Sequence, residues 1–96
     1  MPSTPETRRA DAERRFWVGG VLMDAASYRA RQAAAQARVR ALRLTQAWIA
    51  AQIEATQPTV SQVLGGRDRL PRRRTDILPR IEALLDRVEA GEVVPA

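Results

Sequence analysis

The chain has no cysteine, no histidine and no lysine in 96 residues. Without cysteine there is no disulfide framework and no thiolate nucleophile, which fits a cytoplasmic setting. Without histidine as well, a zinc site has lost both preferred ligands, and the usual general base is missing. The absence of lysine removes a Schiff-base nucleophile. Ser3, Ser27, Ser61, Tyr28 and the carboxylates remain, but no pair of them stands at catalytic spacing. An enzyme is therefore not expected, and neither is a cofactor or metal. Long apolar runs are missing too. The longest, residues 16–23, is interrupted by Gly19-Gly20, whereas a membrane helix needs about 20 residues. No membrane span or secretory signal is expected.

What is present is arginine. All 16 basic residues are arginine, and the net charge is +5. A GC-rich genome accounts for the bias, while the planar guanidinium still suits phosphate clamping. The charge is uneven along the chain. Residues 1–24 balance four arginines with four acids; residues 25–74 hold ten arginines against Glu54 and Asp68; residues 75–96 hold two arginines against five acids. A basic middle is expected where the partner is a polyanion whose counterions are released on binding.

That basic stretch contains the most informative segment, residues 44–67. Thr45 can cap a helix running to about Ile53. Trp48, Ile49 and Ile53 fall on one side of it, and Ala50 lets a second helix cross close by. Thr56 is the next cap candidate. Gln57 and Pro58 occupy a first turn, where a missing N–H does no harm, and Val60, Val63 and Leu64 form the apolar stripe. Gly65-Gly66 then ends the helix after about two turns. Gln57, Thr59, Ser61 and Gln62 are left outward. Glutamine can pair bidentately with adenine in the major groove, and serine and threonine can serve bases or phosphates.

The segment resembles the Cro and phage-repressor type of helix-turn-helix protein. The resemblance rests on Leu44-Thr45-Gln46, Ile49-Ala50, Ile53, Thr56-Gln57, Thr59-Val60-Ser61, Val63 and Gly66. It continues more loosely in Leu78, Ile81 and Ala83-Leu84, which are similar to the family's closing helix, so about 40 residues are covered. Position 54, usually glycine in the family, is Glu54 here. It must either adopt a left-handed backbone at a cost or make a different turn. The resemblance implies that Gln46 contacts a phosphate. It also implies that Gln57 and Gln62 face base edges, with Thr56, Pro58, Thr59 and Ser61 along the same surface. Arg67, Arg69, Arg72, Arg73 and Arg74 follow directly, where a loop would meet the phosphate backbone; the plainer alternative for such a run is a solvated face.

Elsewhere, residues 1–12 read as a disordered arm. Phe16-Trp17-Val18 and Val21-Leu22-Met23 flank a glycine pair, which is a hairpin signal. So short a hairpin must pack on something: its own helices, a second subunit or another protein. Residues 24–42 are alanine-rich and should be helical. Tyr28, Ala35, Val39 and Leu42 form one apolar strip, while Ala30, Ala33, Ala34, Ala37 and Ala41 form another, so two packing partners are expected. A last helix capped by Thr75 or Asp76 should run to about Ala90, with Leu78, Ile81, Leu84, Leu85 and Val88 as its core face.

The expected fold is all-α: a helix-turn-helix bundle of four to five helices with a candidate N-terminal β-hairpin. Residues 1–12 are an arm, 13–43 the hairpin and long helix, 44–90 the DNA-binding domain and 91–96 a loose tail. A chain of this size buries a modest core, which a partner subunit would help stabilise. The expected function is a cytoplasmic, homodimeric transcription regulator that binds double-stranded DNA, more in the manner of a repressor of phage or mobile-element type. Two rivals belong to other classes. One is a DNA-packaging or partition adaptor, marked by a higher-order ring. The other is an antitoxin or polymerase-binding module that grips a protein through residues 16–23, from Phe16 to Met23, marked by a stoichiometric partner on purification.

Overall fold

Gly19 and Gly20 both take positive φ, 55° and 84°, the backbone demanded at both centres of the tight turn that suits a hairpin's twist. The computed structural model describes residues 15–64 and 76–95. The turn joins β1 (Arg15–Val18) to β2 (Val21–Asp24), which pair antiparallel with Phe16 opposite Met23 and Trp17 opposite Leu22. Side chains alternate across a strand, and Phe16, Val18 and Met23 face inward and are buried. The Phe16 ring meets Tyr28 edge-on at a centroid distance of 5.2 Å. The hairpin is therefore core on one face. The other is open, with Trp17 47% and Leu22 48% exposed, so of the partners open to the hairpin its own helices take one face.

Asp24 ends β2 and caps α1 (Ala25–Ala41), its carboxylate accepting the Ser27 N–H at 2.8 Å. That hydrogen bond holds the Asp24 carboxyl below the ordinary carboxylate range. The cap is thus in full force above the carboxyl's unfolded pKa and weakens as pH falls through the lower native value. Three further helices follow: α2 (Gln46–Gln52), α3 (Gln57–Leu64) and α4 (Ile77–Glu89). Four helices among the described residues, not five, account for the bundle. The Gly65-Gly66 helix stop and Thr75 lie outside the described residues. Asp76 takes the cap position of α4 but makes no side-chain capping bond.

One cluster of buried side chains joins the hairpin to all four helices. Tyr28, Ile49, Val60, Leu78, Ile81 and Leu85 are at its centre. Tyr28, Ala35 and Val39 enter it from α1, and Leu42 is half-buried beside them. The second strip of α1, from Ala30 to Ala41, is exposed in the single chain, and alanine there favours the helix by its propensity. On its flank Arg31 pairs with Glu82 through both carboxylate oxygens. Arg38 bridges Asp86 at 2.6 Å and Glu89 at 2.8 Å. Beyond α4, Gly91 closes the helix with φ 77°. Glu92 N–H returns to the Arg87 carbonyl at 2.9 Å, and Val93 packs on the core, while Val94 is exposed.

The hairpin turn seats against α4. A methyl on Gly19 would fall 2.7 Å from Pro79 Cγ, while one on Gly20 would meet nothing within 4 Å. Gly19→Ala should destabilise the fold by more than the roughly 1 kcal/mol of left-handed backbone cost that Gly20→Ala incurs. Urea denaturation of the two variants checks the order, and equal losses would mean that the hairpin is not held against α4.

Candidate nucleic-acid interface

Thr45 takes the extended cap conformation and accepts the Trp48 N–H at 3.1 Å, which starts α2 where the sequence places it. Ile49 and Ala50 are buried beneath it, with Trp48 half-buried at the side. The helix ends at Ile53. Glu54 then takes φ 57°, and the Ala55 N–H returns to the Ala50 carbonyl at 2.9 Å. This is the left-handed closure usually made with glycine, so of the two courses open to Glu54 the chain takes the costly one. Arg43 does the same at the end of α1, with φ 55° and the Leu44 N–H on the Val39 carbonyl.

Across the turn, the Thr56 and Thr59 hydroxyls lie 2.8 Å apart, and Thr56 Oγ1 accepts the Thr59 N–H at 3.4 Å. That starts α3, which buries Val60, Val63 and Leu64. Its opposite side carries Gln57, Pro58, Ser61 and Gln62. Together with Gln46 from the start of α2, they line one open groove of about 420 Å³. Five of the residues singled out in the sequence are thereby brought together from two helices. Thr56 and Thr59 do not line the groove; their hydroxyls serve the helix start. Arg67, Arg69, Arg72, Arg73 and Arg74 lie outside the described residues.

Three supports of this unit are not apparent from its own sequence. Gln32 of α1, only 8% exposed, donates from its side-chain amide to the Val63 carbonyl. Gln36, one turn on, donates to the Leu64 carbonyl at 2.9 Å. The last carbonyls of a helix have no partner within it, and these two amides satisfy them at the end of α3. At the other end, the guanidinium of Arg80 donates to the Ile53 carbonyl, tying α4 to the turn between α2 and α3. The position of Gln32 was a usable signal. It lies between Tyr28 and Ala35 on the apolar strip of α1, and a polar group placed there must find a partner.

The groove holds amides, a hydroxyl and a proline ring, and among the described residues no charged side chain lines it. Among the described residues no cluster of three or more acidic or other metal-ligating side chains is present, and no helix is long and apolar enough to cross a membrane. The arrangement offers hydrogen-bond donors and acceptors from two helices along one open groove. No protein-family model, curated protein or solved structure matches the chain.

Gln32→Leu keeps the size of the side chain but removes the amide that donates to the Val63 carbonyl. It should cost about 1–3 kcal/mol of stability, and Gln36→Leu, at the partly exposed end, about 0.5–1.5 kcal/mol. Chemical denaturation measures both, and an unchanged Gln32→Leu would show that the end of α3 is held by apolar packing alone.

Proposed function

We propose that the chain is a sequence-specific, double-stranded DNA-binding regulator, acting as a homodimer and more in the manner of a repressor, of phage or mobile-element type. The observation that carries this reading is the groove: Gln46, Gln57, Pro58, Ser61 and Gln62 share one outward surface of a helix pair whose inner surface is core. An α-helix fits the major groove of B-DNA, and a glutamine amide matches the donor and acceptor that adenine presents there. In this reading α3 lies in the groove with Gln57 and Gln62 against base edges and Ser61 beside them. Gln46, at the first turn of α2, donates to a phosphate that fixes the register. The five arginines after α3 in the sequence clamp the flanking phosphates and supply most of the affinity, without choosing a sequence. A bound protein of this size acts chiefly by occupying its site, which is the ground for repression over activation. Two copies on successive major grooves would want half-sites about 10–10.5 base pairs apart or a multiple of that.

The open outer face of the hairpin, with Trp17 and Leu22 exposed, favours a second reading, a protein-interaction module. A stoichiometric foreign protein on purification, with no duplex preference in the chain itself, would mark it.

The test begins with selection of a preferred duplex from a random pool. Gln57→Ala and Gln62→Ala should each weaken binding to the selected site by about 1–3 kcal/mol while binding to unrelated duplex stays nearly constant. Equal affinity of both variants for the selected site would remove α3 from the reading role. Replacing Arg72, Arg73 and Arg74 together by alanine should reduce the slope of log affinity against log salt by up to about 0.9 for each phosphate no longer neutralised. An unchanged slope would make the cluster a solvated face.

A further inference from the structure

The hairpin's outer face is small, apolar at its centre and charged at one end. Alternation along the strands puts Arg15 and Trp17 of β1 on that face, and Leu22 and Asp24 of β2 beside them, with Arg15 opposite Asp24 and Trp17 opposite Leu22. Trp17 and Leu22 are each about half exposed. On the inner face of the same strands Phe16, Val18 and Met23 enter the core, while Val21, opposite Val18, stays exposed beside the turn.

We propose that this face binds the same face of a second copy of the chain, as a weak two-fold dimer. The pattern is self-complementary in a way that a face made for an unrelated protein has no need to be. A two-fold axis parallel to the strands, in the plane between the sheets, lays β1 of one copy over β2 of the other. Cross-strand partners stand at the same height along the strands. Trp17 therefore stacks on Leu22 of the second copy and Arg15 on its Asp24, each contact occurring twice. The sign of the charges is right in both places, and the apolar pair lies beside them. The exposed fractions of Trp17 and Leu22 correspond to an apolar patch on the order of 200 Å² per copy. Two copies then bury about a third of the roughly 1,200 Å² at which specific interfaces become stable. The pairing is thus transient in free solution and is strengthened where both copies are held close together, as on adjacent half-sites. The inference rests on the two-copy part of the proposed function only. It names the surface of contact and requires no nucleic acid for its test.

The full chain carries two tryptophans, one on this face and one, Trp48, half-buried on α2. With both replaced biosynthetically by 5-fluorotryptophan and assigned through Trp48→Phe, fluorine NMR should show the Trp17 resonance moving as the protein is raised from micromolar to about 1 mM. The Trp48 resonance should stay still, and sedimentation equilibrium should give a monomer–dimer fit over the same range. Leu22→Arg and Arg15→Asp, both at exposed positions, should abolish the shift at unchanged far-ultraviolet circular dichroism. A Trp17 resonance that does not change up to 1 mM would overturn the proposal. So would a dimer in which only Trp48 responds, or a Trp17 that responds only to a different protein. Because no DNA is present, self-association at Trp17 in a chain that binds no duplex would keep this inference and remove the regulator. Tight duplex binding by a chain with an invariant Trp17 would do the reverse.

Discussion

Helices of seven and eight residues do not persist alone in water, so the surface carried by α2 and α3 exists only because longer helices hold it. The holding is done twice over. Apolar side chains from both short helices, Ile49, Ile53, Val60 and Val63 among them, enter one buried cluster with Tyr28 of α1 and Leu78, Ile81 and Leu85 of α4. Three polar contacts then fix the ends: the amides of Gln32 and Gln36 on the carbonyls of Val63 and Leu64, and the Arg80 guanidinium on the carbonyl of Ile53. Burial supplies most of the free energy, because it scales with area and is not directional. The polar contacts supply geometry. They act on the turn and on the far end of α3, and so limit how the groove-lining residues sit relative to one another, which matters for any surface that must match a rigid partner.

The same helices redistribute charge. In the sequence the basic middle and the acidic end look like separate blocks, but folding lays the acids of α4 against α1, where Glu82 takes Arg31 and Asp86 and Glu89 take Arg38. The carboxylates raise both guanidinium pKa values further above their ordinary range, chiefly through the hydrogen bonds themselves. These pairs are partly or largely exposed, and their contribution to stability is small. Their consequence is spatial. Two of the arginines of the basic stretch, Arg31 and Arg38, are neutralised where α1 meets α4, while half of that stretch's arginines follow α3 in the sequence at residues 67–74. The positive charge that remains is more concentrated in sequence around the end of α3 than a simple count indicates.

Much of this was legible in the residues. The 3.6-residue spacing of Val60, Val63 and Leu64, and of Leu78, Ile81 and Leu85, marks the buried faces of α3 and α4, because a helix must bury whatever apolar stripe it carries. Thr45 was readable as a cap for the same reason that it is one: a hydroxyl beside an unpaired N–H. The glycine pair announced the hairpin, since few other residues accept positive φ twice in succession. Gln57, Ser61 and Gln62 are readable as outward-facing from helical spacing, as is Thr59, which does not line the groove; Gln46 and Pro58 come from the resemblance, and the structure brings these five groove residues together. Contacts between distant residues were not readable. Gln32 and Val63 are 31 positions apart, and only the crossing of α1 over α3 makes them neighbours. The half-burial of the hairpin was hidden for a related reason. Both of its apolar triplets are unbroken, without the alternation that would have shown which face is core.

The central claim is that the groove-lining surface of α3 meets duplex DNA, and the most direct measurement is residue-resolved. Nitrogen–proton correlation spectra of the labelled chain, titrated with an unselected duplex at low salt and then with the single strands, would report each side-chain amide separately. The account predicts that the amides of Gln46, Gln57 and Gln62 and the backbone N–H of Ser61 shift together with duplex. The buried Gln32 amide, held on Val63, should move little, and single strands should perturb the same set less. Shifts confined to residues 15–24, or no shift of the three groove glutamines at saturating duplex, would contradict it.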